Sequence, residues 1–185
     1  MRKNIYFAML ILMLFIAQAC ARQKAGNEVY NAPQPNFSTP VSIEELRSAF
    51  YGYSVVAIVA ALRENNEANW NMLLDKARAG EGDWIYALNA YVAPGADAAN
   101  STAIIVSMAT ALSNNPEAVL NLGFSRGPSL YQVCSLPFIE PEYKFLEDYA
   151  NKTLHALQKI DKPYLLDLRD YCIRTLRDSW NHLEN

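Results

Sequence analysis

Histidine and cysteine are scarce in this chain, with two histidines and three cysteines in 185 residues. That scarcity removes most of the common catalytic and metal-binding arrangements. There is no H-E-x-x-H, no phosphate-binding glycine loop, no G-x-S-x-G and no C-x-x-C. His155 falls on the polar face of a helical stretch, and His182 lies three residues from the end. Neither sits beside a nucleophile or a second ligand, so no histidine-based catalysis, metal or cofactor is expected. No cluster of lysine and arginine occurs, which argues against nucleic acid or anionic lipid as the main partner. No stretch alternates with period 2, so no sheet is expected. Charge itself is missing from two long segments, Arg47 to Arg63 and Asp97 to Glu117. A helix that is apolar or small on all sides is usually central, and both segments are expected in the middle of the fold.

What is present begins with a targeting pattern. Arg2 and Lys3 precede an uncharged apolar run from Ile5 to Ala17. That run is shorter than the roughly 20 residues a membrane span needs, and it exits through small residues as a signal peptide does. The junction Ile16-Ala17-Gln18-Ala19-Cys20 resembles the lipobox of bacterial lipoproteins. The resemblance covers the signal segment alone. It implies cleavage before Cys20 and lipidation of that residue, which anchors a chain firmly when several acyl groups are added. Ala21 follows the lipidated position, and the absence of Asp there implies the outer membrane. The same Ala17-x-Ala19 exit also fits ordinary cleavage, which would leave a soluble periplasmic or secreted protein.

Losing residues 1–19 removes Arg2 and Lys3 and no acid, so the formal charge goes from -3 to -5. About 165 residues remain, enough for one domain with a core of its own. Residues 20–41 are expected to be a lipid-anchored tether. They hold Gly26, Pro33, Pro35 and Pro40 among several asparagines, a composition that does not build a core. Residues 21–41 would reach roughly 65 Å at about 3.1 Å per residue.

From residue 42 onward helix signals repeat. Ser42 and Glu45 form a capping box, and the helix they open is expected to run to about Leu62. Further helices are expected at about 67–79, from 83 to just before Pro94, and at 97–113 with Asp97 as cap. A short one follows Asn115-Pro116, and two longer ones cover 141–160 and 163–182. The expected fold is all-α, an irregular bundle of about seven helices. A partial helical-repeat array of HEAT or TPR type is the alternative, because Trp70 to Gly80 and Trp84 to Gly95 look loosely alike. Leu146, Tyr149, Thr153, Leu157 and Ile160 share one helical side, and Leu165, Leu168, Cys172, Leu176 and Trp180 share another. Cys172 therefore points inward. With Cys134 it makes an even pair in an exported chain, which reads as a disulfide worth roughly 4 kcal/mol on the chain-entropy model.

Five carboxylates could in principle serve a wall hydrolase: Asp83, Asp97, Glu117, Glu140 and Glu142. All stand at helix starts, where capping and the helix dipole already account for an acid. The tyrosines Tyr30, Tyr51, Tyr53, Tyr86, Tyr91 and Tyr131 read as core or rim. The segment 123–140 reads as irregular, contains Cys134 and carries Phe124, Arg126, Tyr131 and Phe138. Long loops in compact domains are often functional, so these four are the candidate partner-binding residues. Replacing Phe124 and Arg126 together is expected to weaken a complex without changing the melting temperature. The functional reading is a lipid-anchored envelope protein that binds another envelope protein and catalyses nothing. A carrier of an apolar ligand and a carboxylate-dependent cell-wall hydrolase are the other two readings.

Overall fold

The computed structural model describes residues 33–122, 124 and 127–183. Cys20, Tyr30 and Arg126 lie outside these residues. Every regular element among the described residues is helical. Gln34 to Asn185 form one compact unit. Packing thus reaches back to residues that composition alone assigns to the tether. Phe37 packs on the core and Val41 is buried. Asn69 fixes this segment twice, accepting from the Val41 N–H at 2.9 Å and donating to the Ser38 carbonyl at 2.8 Å.

Helix α1 (Ile43–Gly52) opens on the expected capping box. The Glu45 N–H donates to Ser42 Oγ at 3.2 Å, and the Ser42 N–H donates to the Glu45 carboxylate at 2.8 Å. The expected single helix to Leu62 is broken at Tyr53, which is extended, and α2 (Val55–Leu62) restarts from Ser54. Gly52 is a poor helix former, and Ser54 gains more as a cap than inside a helix. Its Oγ accepts the Ala57 N–H at 3.2 Å.

Helix α3 (Glu64–Arg78) starts with Asn65, Asn66 and Glu67 at φ of 54°, 58° and 60°. Asparagine visits this left-handed region more readily than most residues, which lets the chain turn there. Helix α4 (Gly82–Ala87) runs straight into a π-helical turn (Leu88–Val92) and a 3-10 turn (Ala93–Gly95). Pro94 has no N–H to give back to Ala90 and its ring crowds that carbonyl, so a regular helix cannot continue. The two loosely similar Trp-to-Gly segments therefore adopt different backbones.

Helix α5 (Ala98–Asn114) is the central element, packing against α3, α6 (Pro116–Leu120), α7 (Leu130–Cys134) and α8 (Tyr143–Gln158). Asp97 caps it, accepting the Asn100 N–H at 2.9 Å. Its hydroxyls are satisfied inside the helix: Ser107 donates to the Ala103 carbonyl at 2.8 Å and Thr110 to that of Val106 at 2.9 Å. An uncharged but polar sequence can thus sit at the centre without unpaired groups. The other uncharged segment differs from expectation: α2 leaves Val56 and Ala60 exposed.

The stretch expected to be irregular contains α7, which carries a second capping box, Ser129 with Gln132. The chain ends with a 3-10 turn (Pro163–Leu165) and α9 (Leu166–Asn181). Cys134 on α7 and Cys172 on α9 are both buried and joined as a disulfide, with Cα atoms 4.9 Å apart. Most buried residues form one core. A second, smaller cluster gathers Ala109, Tyr149, Ala150 and Leu176, with Leu136, Phe138, Leu154 and Trp180 packed on it.

Candidate functional site

Beside the second cluster several apolar side chains reach the surface. The disulfide pins α7 to α9, and the segment Ser135–Pro141 must cross from α7 to the start of α8. Two of its residues, Leu136 and Phe138, pack on the cluster. Phe138 meets Phe145 edge-on at 4.9 Å and Tyr149 at 4.7 Å between ring centroids. Such pairs contribute roughly 0.5–1.5 kcal/mol beyond their buried area. Tyr149 is fixed from the other side, its hydroxyl donating to the Ala109 carbonyl at 3.1 Å. Burial drives its phenol pKa upward, so it is neutral at physiological pH.

On this base stands a ledge. Ile139 is 75% exposed, Tyr143 57% and Phe145 48%. Tyr143 leans on Trp180 at 5.3 Å, linking α8 to α9. Between those helices lies an open cleft of about 230 Å³ whose walls include Ala150, Leu154, Leu176, Arg177 and Trp180. Lys144 pairs with Glu147 at 3.1 Å and with Asp148 at 2.8 Å, so the ledge has a charged rim. Exposed aromatic residues set among polar ones, on helices that cannot shift independently, suit the recognition of another surface.

The four residues expected to bind a partner fall in different environments. Phe124 packs, half-buried, on the main core. Replacing it removes packing, so the expectation of an unchanged melting temperature does not hold for that side chain. Tyr131 is exposed on α7. Phe138 supports the ledge from below. Ile139, Tyr143 and Phe145 were not singled out by sequence, although a signal existed. Phe145 stands off the buried stripe of α8, where an amphipathic helix normally carries a polar side chain, and Tyr143 lies at the edge of that stripe.

The carboxylates and histidines are dispersed. Asp97 caps α5, Asp83 lies in the first turn of α4, and Glu142 occupies the N-cap position of α8. Glu117 is paired with Lys162. Glu140 is exposed, with φ of 47°. His155 lines an open groove of about 430 Å³ together with Asn114, Glu117, Lys152 and Lys159. Lys152 Nζ donates to Asn114 Oδ1 there at 2.5 Å. A third cleft, of about 220 Å³, is bounded by Ile104, Ile105, Gly127 and Pro128. Among the described residues no group of three His, Cys, Asp or Glu side chains could hold a metal ion, and no helix is long and apolar enough to cross a membrane.

Comparison with protein-family models, with curated proteins and with solved structures finds no match to this chain.

Proposed function

We propose that this protein is an exported envelope module, lipid-anchored through Cys20 and facing the periplasm, that binds another envelope protein without catalysing a reaction. The observation that carries this reading is the ledge of Ile139, Tyr143 and Phe145, held on a second hydrophobic cluster beside the Cys134–Cys172 disulfide. Large side chains that are already ordered lose little entropy on binding. The Lys144, Glu147 and Asp148 rim and Arg177 beside the cleft supply the polar border of such a surface. The anchor is supported by the charged start, the apolar run and the junction cysteine of the N-terminal segment.

The outer membrane is the expected site, with a soluble periplasmic or secreted form as the alternative. An apolar-ligand carrier would need an enclosed chamber of several hundred Å³. A wall hydrolase would need an acid in a cleft with a second polar group beside it. Of the five candidate acids only Glu117 lines a groove, and there it is ion-paired with Lys162. The test is retention of an envelope protein by the intact chain, run beside a peptidoglycan-digestion assay. A retained partner and no digestion support the reading. Digestion that disappears when one carboxylate is changed, with no partner retained, overturns it.

A further inference from the structure

The open groove beside His155 differs from the other clefts in size and in charge. Those of about 220 and 230 Å³ fall below the roughly 300–1,000 Å³ of ordinary ligand sites, and this one, at about 430 Å³, does not. Its apolar lining is Pro116, Ala156 and the buried Ile160. One wall is fixed by side-chain amides. Asn114 Nδ2 donates to the Arg78 carbonyl at 2.6 Å and Asn115 Nδ2 to that of Gly80 at 2.8 Å, which ties this wall to the end of α3. The other wall is an exposed stripe of Lys152, His155 and Lys159. At about 1.5 Å per helical residue the two lysines stand about 10 Å apart along the axis. Most lysines and arginines among the described residues are paired with a carboxylate. Lys152 and Lys159 have no such pair there, and Lys152 is held by a neutral acceptor, Asn114 Oδ1. Arg174 and Arg177 also lack one, but Asp170 acts on Arg174 and Glu147 lines the same cleft as Arg177. Every acid near the groove is engaged elsewhere: Glu117 by Lys162, Asp148 by Lys144, while Asp161 acts on Lys162. The helix dipole favours a cation at Lys159, the C-cap of α8, but does not reach Lys152 two turns earlier. The groove is thus a positive site in a chain of net charge -3.

We propose that this groove binds an acidic peptide segment of another protein, extended and with carboxylates three residues apart. The proposal stands apart from the ledge and holds whether or not the chain is lipid-anchored. Charge complementarity selects an anion, and such complementarity sets partner choice and encounter rate. Spacing selects its form. Three residues of extended chain span about 10 Å at about 3.3 Å each, which matches the separation of Lys152 and Lys159. A single phosphate or carboxylate is too small to meet both ammonium groups at that separation. The apolar lining selects a peptide over a phosphate polymer, because Pro116, Ala156 and Ile160 give a surface for side-chain stems and backbone between the acids. A nucleic-acid site commonly neutralises roughly six to ten phosphates, and this groove offers far fewer cations. Lys152 is already held in place by Asn114, so part of the ordering cost of the contact is met before binding.

The experiment titrates the intact chain into a fluorescent Glu-Ala-Ala-Glu peptide, blocked at both ends, and reads anisotropy. The proposal expects saturable binding that weakens as ionic strength rises from about 0.05 to about 0.5 M. Lys152→Gln/Lys159→Gln should raise Kd about fivefold, the range open to two exposed ion pairs. Arg47→Gln/Arg63→Gln makes the same change in net charge at two arginines already paired elsewhere, and should leave Kd unchanged. Lys159→Glu leaves the bond between Lys152 and Asn114 in place and should weaken binding more than Lys159→Gln does. Melting temperatures of all variants are compared, and these exposed substitutions should leave them near the wild type. Absence of saturable binding overturns the proposal, as does the same Kd in the wild type and the Lys152→Gln/Lys159→Gln variant. Equal affinity for Gln-Ala-Ala-Gln, or for the Glu-Glu-Ala-Ala isomer, also overturns it, since charge and spacing would then not matter. Displacement of the peptide by phosphatidylglycerol vesicles or polyphosphate at a lower concentration of charge assigns the groove to phosphate groups and overturns it too.

Discussion

Glu45 is the most heavily bonded carboxylate among the described residues. It accepts from the backbone N–H of Ser38 at 2.9 Å and of Ser42 at 2.8 Å, and from both serine hydroxyls at 2.7 and 2.8 Å. These donors, those of Ser38 foremost, hold its pKa at about 2 against an ordinary 4.5. A carboxyl depressed in the folded state stabilises the fold above its unfolded pKa, and that stabilisation is lost as pH falls through the folded value. The protein should therefore lose stability between about pH 4.5 and 2. Glu45→Gln should flatten that part of the profile, which urea unfolding at a series of pH values will reveal. The same slope in both proteins would dismiss the carboxylate clamp. The capping box was legible because its partners are three residues apart. The contribution of Ser38 was not, because it lies seven residues away in a segment whose composition reads as linker. At Gly95 the constraint is steric. Gly95→Ala would force a methyl against the Val55 backbone at 2.5 Å and should destabilise the fold by roughly 1–3 kcal/mol by denaturant titration.

Helices were read correctly where one local signal dominated. Asp97 and Asn115 cap α5 and α6, and Gly80 follows α3 with φ of 88°. Errors arose where two signals competed. The apolar run from Phe50 to Leu62 suggested one helix, but Gly52 and Ser54 interrupt it. The segment 123–140 looked irregular because α7 has only five residues, too few to show a period. The absence of charge identified α5 as central and misplaced α2. Serine and threonine hydroxyls that bond within α5 suit burial, whereas in α2 the same absence leaves an exposed apolar side. The disulfide was legible from cysteine parity and from the inward direction of Cys172. It joins α7 to α9 across a separation of 38 residues. Opening it should cost roughly 4 kcal/mol on the chain-entropy model. The measurement is the melting temperature with and without reductant, with Cys134→Ala/Cys172→Ala as the non-reducible control. An unchanged melting temperature in both would refute a stabilising bridge.

At the scale of the whole molecule, the surface carries two exposed aromatic regions, supported by different parts of the core. A face of Tyr51, Tyr53 and Tyr86 rests on the main cluster through Tyr91, Phe50 and Val59. The ledge rests on the smaller cluster through Phe138 and Tyr149. Neither was legible as a region in the sequence, since each is assembled from segments far apart in the chain. The fold class was legible, because helical caps and periodicity are local. The account's central claim is that the ledge is the binding surface of a non-catalytic module. It is tested most directly by comparing the intact chain with its Ile139→Ser/Phe145→Ser variant, measuring retention of an envelope partner and the melting temperature together. Ile139 is largely exposed and Phe145 is half-exposed against Phe138, so the melting temperature should fall by only a few degrees, while retention should drop by an order of magnitude or more, as loss of central aromatic and aliphatic anchors does elsewhere. Undiminished retention by a variant that melts with the wild type would contradict the claim.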